Sequence, residues 1–245
     1  MKLRQVLLYI LCGLIAASML VIGGFLLWAQ LSRYPAYPEA TLVALQADRS
    51  HGWYSFIPSQ PTEKGIIFYP GALVAVEAYA PLLKAVSERG ILVVAVPMPL
   101  ELAIFGISKA DAVVQAFPTI SAWAIAGHSL GGAMAAQYLT SNSKYSNTIK
   151  ALILLASYPP PNTSLKHTNI RVLSLYGDRD LGPTTVFEES KDRLPEGSTF
   201  VFLPGANHAQ FGHYGPQKGD GTAAISREAQ QKQTVDAIVE LLTGL

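Results

Sequence analysis

Four segments in the body of the chain, residues 66–69, 91–96, 123–126 and 149–156, are almost wholly apolar, and stretches with helical patterning separate them. A strand with apolar side chains on both faces can turn neither face to water, so it belongs in a sheet covered on both sides. Strands that run parallel need a crossover between them. The helical stretches at 75–89, at 108–116 and beyond Ser129 supply it. Further strands are expected at 170–176 and 199–203 with a helix between them at 184–194, and a helix at 227–242 closes the chain. Ahead of the first buried strand, 41–45 and 53–57 read as two short strands about a turn at Gly52. The predicted fold class is α/β, a mainly parallel sheet with helices on both faces.

Within that pattern, Gly127-His128-Ser129-Leu130-Gly131, followed by Gly132, stands between the apolar run 123–126 and a helix-forming run at 133–139. A sharp strand-to-helix turn forces its middle residue into a strained conformation and leaves a serine oxygen exposed at the sheet edge, where it can act as a nucleophile. A glycine-rich turn whose serine merely caps the helix is the plainer alternative. In parallel sheets the loops at the carboxyl ends of strands build the active site, so partners of Ser129 are expected just after later strands. Gly177-Asp178-Arg179-Asp180 follows the strand at 170–176, and Pro204-Gly205-Ala206-Asn207-His208 follows the strand at 199–203. The chain order is therefore serine, acid, histidine.

Five histidines compete for the role of base. His128 follows the first glycine of the turn and is expected to point away from Ser129. His51 precedes the main sheet, and His167 lies in a loop. His208 is favoured over His213, five residues further on, because it stands closer to a strand end. Asp178 and Asp180 are both candidate acids.

These motifs resemble those of α/β-hydrolases over roughly residues 50–245, and in particular those of compact, lid-free members related to dienelactone hydrolases. Tyr69-Pro70-Gly71 stands where that family usually places a His-Gly pair. Dienelactone hydrolases use a cysteine nucleophile where this chain has serine, so their substrate does not carry over with the fold. The resemblance implies a catalytic set of Ser129 as nucleophile, His208 as base and, through the family pattern Gly-x-x-Asp, Asp180 as the acid that orients the histidine. Asp178 is then a turn former beside Arg179. The oxyanion hole needs two backbone N–H groups. Leu130, next to the nucleophile, offers one. Pro70 has no N–H, so Ala72 is expected to offer the other, with Leu73 second. Residues 97–100 and 102–107 are a candidate apolar wall for a small acyl or alkyl group, and the loop at 211–225 either gates access or is a surface Ω-loop. Only 13 residues, 157–169, lie where many lipases insert a helical lid, which argues against long-chain triglyceride hydrolysis.

Residues 6–29 form an uncharged run of 24, preceded by Lys2 and Arg4. That is long enough for a transmembrane helix and longer than the apolar part of a signal peptide, with no convincing cleavage site behind it. Trp28 and Tyr34 suit interfacial anchors, and the charge bias favours a cytoplasmic N-terminus with the catalytic domain outside. The expected organisation is an anchor at 1–32, a linker at 33–40 and a hydrolase domain at 41–245. The net charge of +1, with no basic run in the body, excludes a nucleic-acid partner and points to a small ester-type substrate, with the bilayer as the other partner. The only cysteine, Cys12, lies in the apolar run and allows no internal disulfide. No metal-ligand spacing appears, so neither metal nor cofactor is expected. The expected activity is a membrane-tethered serine esterase or thioesterase working through an acyl-enzyme. Acyl transfer by the same residues, and a non-catalytic binding protein of the same fold, are the alternatives.

Overall fold

The computed structural model describes residues 3–141, 143–181 and 184–245. Contacts divide the chain into a first unit that ends at Arg33 and a second, Tyr34–Leu245. The first unit is one helix, α1 (Leu3–Leu31), in which the 23 residues Tyr9–Leu31 are apolar enough to cross a membrane. At about 1.5 Å per residue they cover about 35 Å, against about 30 Å of hydrocarbon. Lys2, which carries part of the charge bias, lies outside the described residues.

In the second unit, seven strands among the described residues form one sheet in the order β1-β3-β2-β4-β5-β6-β7. They are β1 (Tyr54–Phe56), β2 (Lys64–Tyr69), β3 (Leu92–Ala95), β4 (Ala122–His128), β5 (Ile149–Leu155), β6 (Arg171–Arg179) and β7 (Thr199–Asn207). Only β1 is antiparallel, to β3; the other pairs are parallel. Alternate residues of β2 feed the two cores. Ile66 and Phe68 pack in the cluster that holds Leu82, Leu83 and Val86 of α3 (Ala80–Ser87) and Ile238 of α7 (Arg227–Thr243). Ile67 and Tyr69 join Val113 of α4 (Lys109–Ala116) and Met134 and Tyr138 of α5 (Leu130–Thr140) on the other face. The fold class is thus the α/β arrangement expected, with helices on both faces of a mainly parallel sheet.

Several elements differ from the sequence-based expectation. Residues 41–45 are not a strand: α2 (Pro38–Ala44) is a helix that begins at a proline and buries Ala40 and Ala44, one turn apart. Proline suits the first helical position, and the short run of apolar residues there fits either period. The helix expected at 75–89 is a 3₁₀ turn, Val76–Tyr79, followed by α3, because Pro81 has no N–H to bond back into a longer helix. Residues 34–37 of the expected linker pair within the second unit. The N–H of Tyr34 donates to Leu73 O at 2.7 Å and that of Tyr37 to His213 O at 2.8 Å. The last two strands also outrun their apolar runs. After a register shift between Gly177 and Arg179, β6 and β7 resume pairing with Arg179 opposite Asn207.

Candidate active site

Strand β4 ends at His128 and α5 starts at Leu130, so Ser129 alone makes the turn. Its φ of 51° and ψ of −124° lie in the left-handed half of the map, a conformation that costs a non-glycine residue about 1–3 kcal/mol. The surroundings over-determine it. The Ser129 N–H donates to Leu155 O at 3.0 Å, and its carbonyl accepts from Ser157 Oγ at 2.6 Å and from the N–H of Gly132 at 3.0 Å. A Cβ on Gly131 would stand 2.1 Å from Tyr69 O, so only glycine lets the start of α5 close against the end of β2. That contact brings the elbow to the loop after Tyr69.

The Arg179–Asn207 pairing leaves Asp180 and His208 as the next residues of two adjacent strands. Their side chains meet, with His208 Nδ1 2.6 Å from Asp180 Oδ1. A carboxylate only accepts, so Nδ1 carries the proton of this hydrogen bond and Nε2 is the ring nitrogen turned away from Asp180. Nε2 is buried and has no hydrogen-bond partner among the described residues, Ser129 Oγ included. Asp178 sits within β6 rather than in a turn; its Oδ1 accepts from the Gly205 N–H at 2.6 Å. His213 Nε2 is 3.1 Å from Gln231 Oε1, and its Nδ1 is 3.7 Å from Glu39. His51 stacks on Trp53, and His167 is exposed.

Around the loop after β2, the N–H groups differ in whether they have an acceptor. Gly71 N–H donates to Tyr79 Oη at 3.0 Å, and Leu73 N–H donates to Glu101 O at 2.8 Å, which removes Leu73 as an available donor. Those of Ala72 and Leu130 donate to nothing among the described residues. Next to Glu101, Leu100, Ile104 and Phe105 are exposed while Leu102 and Ala103 are buried, so the expected apolar wall is half core and half surface.

The site has supports that the motifs did not reveal. Asp220, in the loop at 211–225, accepts from the N–H of His208 at 2.9 Å and of Ala209 at 2.8 Å. Burial pushes its carboxyl above the ordinary 3.8, opposed by those two N–H groups. The same loop is stitched down by Gly221 N–H to Arg179 O and Asn207 Nδ2 to Gly221 O. Gln230 of α7, fully buried, brackets the backbone of Asn207 through its amide. The only sequence signal for these residues was a polar side chain in a loop or on a helix face.

A cavity of about 70 Å³ opens beside Asp180, lined by Ser157, Tyr158, Tyr176, Leu181 and Phe187. A larger cleft of about 700 Å³, between Ile57 and Glu63 and against Leu92 and Phe117, lies at the amino ends of the strands, away from every candidate residue. The small one lies at the carboxyl ends of β5 and β6, the edge at which ligands of such sheets bind. No helix stands between Leu155 and Arg171, so nothing of lid size covers the edge there. No cluster of ligating side chains that could hold a metal occurs among the described residues.

A strand–serine–helix elbow on a mainly parallel sheet, with an aspartate–histidine pair at the same edge, defines an α/β-hydrolase architecture. Residues 65–232 match the model of the alpha/beta hydrolase family, and the chain belongs to that family. Its fold is similar to that of Est1E from Butyrivibrio proteoclasticus, solved with ferulic acid bound (TM-score 0.59, 15% identity, covering 78% of this chain and 95% of that one). It is also similar to the monoacylglycerol lipase of Paleococcus ferrophilus (TM-score 0.56, 12% identity, 77% and 99% covered) and to a ferulic acid esterase from Streptomyces cinnamoneus (TM-score 0.57, 17% identity, 76% and 68% covered). At these identities the likeness is one of fold. No curated protein matches the chain by sequence.

Proposed function

We propose that this chain is a membrane-tethered serine hydrolase that cleaves a carboxylic ester or thioester of small or medium size through an acyl-enzyme. The observation that carries this is the 2.6 Å Asp180–His208 pair, held at the sheet edge that also presents the strained Ser129. Ser129 Oγ attacks the carbonyl carbon while His208 Nε2 takes its proton, and Asp180 stabilises the imidazolium without accepting that proton. The negative oxygen forms between the N–H groups of Leu130 and Ala72, donors worth about 3 kcal/mol each in comparable sites. His208 then returns the proton to the leaving alcohol or thiol, and water repeats the cycle on the acyl-enzyme. The gap between Nε2 and Ser129 Oγ is compatible with this, since such contacts tighten when substrate binds. The cavity beside Asp180 and the short β5–β6 connection favour compact acyl or alkyl groups. The tether is α1, whose apolar length suits one crossing, with Arg4 ahead of the apolar span Tyr9–Leu31 favouring a catalytic unit outside.

The test is hydrolysis of a panel of chromogenic esters of increasing acyl length by the parent and by Ser129→Ala. The parent is expected to turn over the shorter members, and Ser129→Ala to lose turnover with its thermal midpoint within a few degrees. Turnover retained by Ser129→Ala would remove the assignment.

A further inference from the structure

We infer that Tyr79 and His128 are positioning residues for the proposed reaction, forming one buried hydrogen-bond chain that fixes the oxyanion loop and the backbone of His208 together. Neither side chain belongs to the serine–histidine–acid set, and each is hydrogen-bonded to groups within the fold. His128 is fully buried, with Nε2 3.1 Å from the carbonyl oxygen of His208 and Nδ1 2.8 Å from Tyr79 Oη. A carbonyl only accepts, so Nε2 must carry the ring proton and Nδ1 must be the acceptor. The Tyr79 hydroxyl therefore donates to Nδ1, and its oxygen is left to accept from the Gly71 N–H at 3.0 Å. Every direction in the chain is determined: Gly71 N–H to Tyr79 Oη, Tyr79 O–H to His128 Nδ1, His128 Nε2–H to His208 C=O.

This chain joins three strand ends, those of β2, β4 and β7. At the first, it draws the Gly71 N–H inward, so that the next N–H in the loop, that of Ala72, is the one left to face a substrate oxygen. At the last, it holds the carbonyl of His208 while Asp220 holds the N–H of the same residue. The His128 ring also lies against the His208 ring, with centroids 4.4 Å apart. A Cβ on Gly71 would come within 2.8 Å of His128 Nδ1, so the close approach depends on glycine. Charge would break the chain, and the site opposes it. Burial, reinforced by the neighbouring His208, holds His128 well below the ordinary histidine value of 6.5, and burial pushes the Tyr79 hydroxyl above 10. Both groups stay neutral over the range in which an esterase works.

The inference rests on the serine-hydrolase reading, and Tyr79→Phe tests it, since that change keeps the ring and removes only the hydroxyl. The measurements are kcat and KM on the best ester of the panel, and the inhibition constant of a simple alkyl boronate, which places a tetrahedral oxygen in the oxyanion position. The expected result is a fall of kcat by about 10- to 100-fold with KM changed less than threefold, and boronate affinity weakened in step with kcat. A role confined to stability would lower the thermal midpoint and leave kcat and boronate affinity as in the parent. That outcome overturns the inference. Should Tyr79→Phe fail to fold, His128→Leu and His128→Gln are read in the same assays. Leu is expected to lose kcat and Gln, which can both donate and accept, to recover part of it; equal values for the two also overturn the inference. If Ser129→Ala retains turnover, the underlying reading fails instead, and the two failures are distinguished.

Discussion

Among single side chains, His208 and His213 sit five residues apart in one stretch, yet their neighbours give them different chemistry. His208 Nδ1 is 2.6 Å from the Asp180 carboxylate and its Nε2 is left unpartnered among the described residues, whereas Nε2 of His213 is taken by Gln231 Oε1 at 3.1 Å and its Nδ1 stands 3.7 Å from Glu39 without a hydrogen bond. His208→Ala is expected to slow ester turnover at least about 10³-fold, and His213→Ala to stay within about tenfold of the parent. Steady-state kinetics on the two variants decide it; a dead His213→Ala would reassign the base. The meeting of His208 with Asp180 was legible in the sequence because strand ends limit where a side chain can reach. The part played by His128 was not. Spacing says that it leaves the elbow on the side away from Ser129, but the partner it finds there, Tyr79, comes from the 3₁₀ turn Val76–Tyr79, 49 residues earlier in the chain.

Among elements, the strands that carry the site were legible because buried parallel strands are apolar throughout. Their ends were not, since Arg179 and Asn207 pair through polar residues after a bulge. The segment 41–45 was misread because five residues are too few to separate a helical period from a strand, and Pro38 was the better guide. The loop at 211–225 behaves as a brace, because Asp220 holds two consecutive N–H groups at the base of His208. Asp220→Asn leaves one of those donors facing an amide N–H, at a cost of about 1–3 kcal/mol. For a domain of this size that lowers the thermal midpoint by about 2–12 °C, at about 2–4 °C per kcal/mol. With His208 loosened, kcat/KM is expected to fall about tenfold or more. Scanning calorimetry and kinetics on the same sample check both effects. An unchanged kcat/KM would show that the loop does not brace His208.

On the scale of the whole molecule, the two units separate a segment suited to lipid from one suited to chemistry. Full-length protein is expected to stay in the membrane pellet through high-salt and carbonate washes and to leave only with detergent. A chain starting at Tyr34 keeps the pairing of that residue with Leu73 and every proposed catalytic group, so it is expected to be soluble and active. A signal sequence would meet the same length and composition as α1. A mature, soluble chain lacking the first thirty residues would therefore replace the anchor with a cleaved leader and leave the hydrolase unit as it is.

The central claim is that Ser129 is activated by His208, and the most direct measurement is the site of labelling by a fluorophosphonate, which reacts with an activated serine hydroxyl. Peptide mapping by mass spectrometry is expected to find one adduct, on Ser129, absent in Ser129→Ala and strongly slowed in His208→Ala. An adduct on another residue, or ester turnover by a protein that Ser129 labelling does not inhibit, would contradict the account.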